Sequence, residues 1–198
     1  MSEKGMNQSL KKPGIDRFIG NARSEQRQGN VIGHSSSGRW HNLIVSNIAI
    51  GLGSRMHGHK NEIYISNMQV RLQNGMICFP DLVIATGEPA FADQNSETLT
   101  NPTLIADVFS STSDSLEKTK KLESFLEMAS IKECILVKQD EMRVEHYARQ
   151  NQKQWIYRIY NERDDVISLD SINCKISLQE VYANINIRAA ELSSRAVN

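Results

Sequence analysis

Two short apolar runs, residues 103–109 and 134–138, bracket a stretch whose apolar residues recur at a helical period. Runs this short suit strands better than helices, and their near-continuous apolar character suits central strands buried on both faces. Between them Leu122, Phe125, Leu126 and Ala129 fall at i, i+3, i+4 and i+7, and Asp114-Ser115-Leu116-Glu117 has capping-box spacing. That pattern predicts a helix over 114–129. Strand, helix and strand in this order call for a sheet with a helix laid against it.

The flanking segments extend the same plan. Trp40, Leu43, Ile44, Asn47, Ile48 and Gly51 predict a helix over 39–56, after the loop His34-Ser35-Ser36-Ser37-Gly38. Alternation over 64–72, the turn signal Gln73-Asn74-Gly75 and a return over 76–85 predict a β-hairpin. A polar loop, 86–102, follows. Residues 142–149 and 155–160 alternate around the polar turn 150–154 as antiparallel strands, and 177–185 reads as a closing helix. The fold class is therefore α/β or α+β: one domain with a mixed sheet and helices packed on it. Residues 1–28 read as a flexible or loosely docked arm, 29–187 as the domain and 188–198 as a tail.

Composition narrows the function classes. The apolar fraction of 39% over 198 residues can build a sizeable core, which excludes a wholly disordered chain. No apolar stretch is long enough to span a bilayer, and the N-terminus is polar where a signal peptide needs an apolar run; a soluble, cytoplasmic protein is expected. Cys78, Cys134 and Cys174 lack CxxC spacing and sit among apolar neighbours, so they read as reduced, buried thiols. Lys+Arg and Asp+Glu are balanced at 23 each, which at first argues against a nucleic-acid partner. The balance is a sum of opposed blocks, however. Residues 81–117 carry seven acids and no base, between 1–80 with ten bases and four acids and 118–163 with ten and seven. A solvated acidic loop would give the same count.

Two of those acids interrupt apolar strands. Asp81 follows Pro80 in the returning hairpin strand, and Asp107 lies within 104–109. Carboxylates on neighbouring central strands repel in a low dielectric unless they share a cation. Oxygen ligands select Mg²⁺ or Mn²⁺, and Mg²⁺ keeps most of its waters while taking one or two carboxylates. A lysine nearby would orient water or offset charge. At about 100° per residue, Lys118 and Lys121 border the apolar face of the 114–129 helix, and Lys120 points into solvent.

These residues also carry a resemblance. Pro80-Asp81-Leu82-Val83-Ile84, then Asn101-Pro102-Thr103-Leu104-Ile105-Ala106-Asp107-Val108-Phe109-Ser110-Ser111-Thr112, Lys121 to Phe125 and Glu133-Cys134-Ile135-Leu136-Val137 form an ordered set. With Gly38, His41 and the strand from Ser66 to Arg71, the set resembles the Uma2 (DUF820) restriction-endonuclease family of the PD-(D/E)XK nuclease superfamily. The resemblance runs over 29–137 and continues more weakly through 142–160. It implies a restriction-endonuclease-like core, a central mixed β-sheet flanked by helices, with an added antiparallel β-meander. It implies a DNA endonuclease in which Asp81, Asp107 and the Val108 carbonyl hold Mg²⁺ or Mn²⁺ and Lys121 positions water. A homodimer acting on DNA, away from membranes, goes with it.

Supporting positions are His41, Asn67, Ser110 and Lys118. His41 could equally cap a helix start, and Ser110 to Ser113 could equally supply caps. The chain departs from the family pattern at three places. Asp107 stands where Glu is usual, Asn67 where Asp is common, and Gln28-Gly29-Asn30 where Asp-Gly-Glu is frequent. Each departure removes a charge or shortens a ligand. Two readings therefore stand: a metal-dependent nuclease, or a nuclease fold with weakened chemistry that binds DNA or serves as a homo-oligomeric scaffold.

Overall fold

The structure, a computed structural model, describes residues 24–27, 30–33, 38–56, 60–111, 113 and 115–188. The elements begin with β1 (Ser24–Arg27), β2 (Asn30–Gly33), α1 (Arg39–Gly53), β3 (Asn61–Ile65), β4 (Gln69–Arg71), β5 (Ile77–Cys78) and β6 (Leu82–Thr86). They continue with β7 (Thr98–Leu99), β8 (Leu104–Phe109), α2 (Ser115–Glu127), β9 (Glu133–Lys138), β10 (Val144–Asn151) and β11 (Gln154–Tyr160). β12 (Val166–Leu169), a 3₁₀ turn at Asp170–Ile172, β13 (Cys174–Ser177) and α3 (Leu178–Val181) complete the order. Expectations for residues 1–23, 28–29, 34–37 and 189–198, and for the Asp114 cap, lie outside the described residues.

Both apolar runs are central strands. The main sheet has the order β11-β10-β9-β8-β6-β3, a mixed sheet as expected. β8 and β9 are parallel, Leu104 opposite Glu133 and Phe109 opposite Lys138, which the α2 crossover makes possible. β6 runs antiparallel to β8, with Leu82 opposite Ala106. Alternation then sorts the side chains. Leu104, Ala106 and Val108 join Ile44, Val45, Ile48 and Leu52 of α1 in one core, which also takes in β12, β13 and α3. Ile105, Val83 and Cys134 face the other way, toward Phe125 and Met128 at α2. Asp107 shares the Ile105 register, so it points to the α2 side. Among the described residues, no helix is long and apolar enough to cross a membrane.

The expected hairpin is real but divided. Its outer half, β3 with β6, belongs to the main sheet, and its inner half, β4 with β5, belongs to a second sheet of order β2-β1-β5-β4-β7. One strand breaks at Ser66, whose φ of 71 turns the chain, and the other at Pro80, which has no N–H for a ladder. Period-two alternation continues across both breaks, so it cannot reveal them. The loop expected over 86–102 contains β7, parallel to β4, and the arm expected over 1–28 includes β1.

Helix ends are also corrected. α1 stops at Gly53 rather than 56. α2 stops at Glu127, so Met128 is buried and Ala129, placed in the apolar stripe, is exposed. The closing helix shrinks to the four residues of α3, opened by a Ser177–Glu180 capping box and followed by Asn184 at φ 61. The β12–β13 hairpin has no counterpart in the sequence reading, because each strand is only four residues long.

Tyr182 locks this C-terminal unit to the main sheet. Its hydroxyl accepts from the Arg143 N–H at 3.0 Å and lies 2.8, 3.0 and 2.9 Å from the carbonyls of Lys138, Glu141 and Arg143. Burial pushes its phenol well above the ordinary range. Tyr182→Phe leaves these buried groups short of a partner and should cost about 1–3 kcal/mol. An unchanged urea midpoint would contradict the role.

Candidate active site

Asp81 sits where the hairpin changes sheets. Ser66, at the opposite break, donates its N–H to the Asp81 carbonyl at 2.8 Å, which ties the two breaks together. Continuing the β6–β8 register one residue beyond Leu82 and Ala106 sets Asp81 opposite Asp107. There the side chains take over the pairing. The Asp81 N–H donates to Asp107 Oδ1 at 3.0 Å, and the Val108 N–H donates to Asp81 Oδ2 at 2.9 Å. Each carboxylate thus accepts from the other's strand.

The helices supply the remaining partners. His41, in the first turn of α1, places Nε2 2.9 Å from Asp81 Oδ1. Lys121 of α2 places Nζ 2.7 Å from Asp107 Oδ2. His41 and Lys121 come from opposite layers of the sheet and converge on one pair of acids that are only 7% and 8% exposed. All four carboxylate oxygens have a partner.

The two acids are driven apart in acidity. Burial raises both. At Asp81 the hydrogen bond and charge of His41, then the Val108 N–H and Lys121, outweigh burial and hold the carboxyl below its ordinary pKa. At Asp107 burial together with the Asp81 charge outweighs Lys121, and the carboxyl lies above its ordinary value. A pair separated in this way offers one group that stays ionised and one that holds a proton more readily.

The donor set suits a hard cation. A carboxylate oxygen has two lone-pair sites and each here uses at least one, so capacity remains. Burial and the Asp81 charge both weigh against an ionised Asp107, and a cation would offset them. Among the described residues no group of three or more His, Cys, Asp or Glu is arranged to hold a metal. Two carboxylates from adjacent strands are the number and type of ligand that a partly hydrated Mg²⁺ takes.

The other expected residues divide. Val108 meets Asp81 through its N–H. Ser110 is held in the β8–α2 turn, its N–H donating to Ser113 Oγ at 3.1 Å, and Ser111 is pinned to buried Asp140. Lys118 turns from the acid pair to Glu145 at 3.3 Å and lies over the Phe109 ring. Asn67 is exposed and lines an open groove of about 500 Å³ with Tyr64, Met68, Gln69 and Glu97. It follows Ser66 and so borders the site. Glu145 and Arg143 carry no sequence signal that marks them for this site. Glu145 occupies a buried position in a strand of mixed alternation, and nothing local marks it as a hub. The three cysteines are buried thiols outside any disulfide, and burial raises the Cys134 thiol far above its ordinary pKa.

The family model described as "Uma2: Putative restriction endonuclease" matches residues 19–180. An uncharacterised Synechocystis protein is 29% identical over 135 residues, 68% of this chain and 76% of its own length. A crystal structure of "a putative nuclease belonging to DUF820" from Anabaena variabilis superposes with a TM-score of 0.68 at 16% identity. It covers 87% of this chain and 98% of that one, which shows a shared fold.

Proposed function

The chain belongs to the Uma2 family, and from that premise we propose that it is a metal-dependent endonuclease that hydrolyses DNA phosphodiester bonds. One observation carries the reading. Two buried carboxylates from adjacent strands clasp each other at the edge of a sheet break, with a lysine and a histidine closing on them from either layer. Structural ion pairs rarely need two acids side by side, whereas phosphoryl transfer needs a concentrated set of charges.

Asp81, Asp107 and the Val108 carbonyl would hold Mg²⁺ or Mn²⁺. Bound there, the ion would supply Lewis acidity toward a phosphoryl oxygen and lower the pKa of water. Lys121 orients the attacking water and offsets charge that builds on the phosphate. His41 keeps Asp81 ionised and fixes its rotamer. Both strands of a duplex are cut most simply by a two-fold assembly, so a homodimer is part of the proposal.

The test is conversion of supercoiled plasmid by the full chain. Nicked or linear product should appear with Mg²⁺ or Mn²⁺ and vanish with EDTA. No product with either ion would overturn the reading. A second reading, a nuclease fold that holds DNA without cutting it, draws on the pairing of all four carboxylate oxygens within the protein. Calorimetric titration separates the two: saturable Mn²⁺ binding lost in Asp107→Ala favours the nuclease, and no binding at millimolar metal favours the holder.

A further inference from the structure

A second concentration of charge lies on the Asp107 face of the main sheet. Glu145 of β10, 9% exposed, faces two cations and a phenol. Lys118 Nζ lies 3.3 and 3.5 Å from its oxygens, Arg143 Nε 3.3 Å and the Tyr147 hydroxyl 3.4 Å. Lys118 Nζ also stands 3.6 Å from the centre of the Phe109 ring, two residues past Asp107 and in the same register.

Three features show that this cluster is more than an internal ion pair. The first is stoichiometry, since one carboxylate serves two cations and a positive charge is left over. The second is fit. Every contact to Glu145 is longer than the roughly 2.7–2.9 Å usual for charged hydrogen bonds, and the further contact of Arg143, to the Tyr157 hydroxyl, is 3.5 Å. The donors of both side chains are therefore weakly used. The third is placement. Lys118 lies near the N-terminus of α2, where the helix dipole is already positive and a lysine is unfavourable. Burial, followed by the charges of Lys138 and Arg143 acting against Glu145, holds the Lys118 ammonium below its ordinary pKa. The positive field gathered there calls for an anion.

The anion has a natural address. Lys118 and Lys121 are about one helical turn apart on the same side of α2, and Glu145 lies on the Asp107 face two strands away, through Leu136 of β9. We propose that Lys118 and Arg143, aimed by Glu145, form a subsite for the backbone phosphate next to the one held at Asp81 and Asp107. The inference rests on the DNA-cleaving reading and adds to it how the strand is threaded: across the end of β8, over Phe109 and toward β10.

Binding without chemistry tests it. Anisotropy of a short labelled DNA duplex, with EDTA present and salt varied, measures affinity and salt slope for the full chain. Lys118→Gln and Arg143→Gln should each weaken binding about tenfold and lower the salt slope by about one. Lys118→Arg, which keeps the charge, should restore most of the affinity. Lys120→Gln removes the same charge from an exposed position on the same helix and should change affinity less than about twofold. Thermal unfolding of each variant identifies any that has lost its fold, and the two cation positions report independently. If wild type binds and both Gln variants match Lys120→Gln, the subsite is wrong and the DNA reading stands. If wild type neither binds duplex up to about 100 µM, the weak end of non-specific binding, nor cuts plasmid, both fall.

Discussion

Asp81→Asn should leave the fold intact and lower metal-dependent DNA cleavage by about 10²–10³-fold, the range for losing one preorganised electrostatic partner. The amide keeps the shape of the carboxylate. Its oxygen can still accept from the Val108 N–H, which donates at 2.9 Å, and its NH₂ takes the place of the oxygen that faces His41. The backbone N–H of residue 81 still reaches Asp107. Only the negative charge disappears, and with it half of the anionic oxygen set offered to a cation. Circular dichroism and urea unfolding check the fold, and plasmid nicking checks the chemistry. Cleavage at the wild-type rate in a folded Asp81→Asn protein would sink the assignment of Asp81.

Arg149→Ala should lower stability by about 2–4 kcal/mol and loosen the helix that carries Lys121. α2 ends at Glu127, and its last carbonyls have no helical partners. The Arg149 guanidinium takes one of them, that of Leu126, together with two carbonyls of the turn that follows the helix. Nη2 donates to the carbonyls of Leu126 and Met128 and Nε to that of Ile131, each at 2.7 Å. Its cation also sits at the negative end of the helix dipole and over the Trp155 ring, 4.2 Å from the centre. Truncation leaves three carbonyls short of a charged donor. Arg149→Lys should recover part of the loss, because an ammonium cannot span all three. A change below about 0.5 kcal/mol in the urea series would show that water replaces the guanidinium without cost. Because Lys121 lies on the same helix, cleavage should fall in step with fraying of α2.

Much of the core was legible from local pattern. The apolar runs at 103–109 and 134–138 are β8 and β9, and the stripe led by Leu122 and Phe125 is α2. Asp81 and Asp107 stood out because ionised groups interrupt strands otherwise buried on both faces, and Lys121 because it borders the apolar stripe of its helix. The expected hairpin shows the limit of such signals. Alternation over 64–72 and 76–85 reports which side chains alternate between two faces, and it is blind to which sheet each half joins. The left-handed turn at Ser66 and the missing N–H of Pro80 settle that only when both strands are in place.

The partners within the site lie deeper still. The Asp81 N–H finds its acceptor 26 residues away, Lys118 finds Glu145 27 away, and Arg149 reaches back 23 residues to Leu126. Periodicity is a one-dimensional record of burial, so the chain alone settles which segments are strands and helices and which acids are out of place among apolar neighbours. Register, sheet membership and the pairing of charges arise from close packing of distant segments. Hydrogen bonds and ion pairs act over about 3–4 Å in space, whatever their separation along the chain.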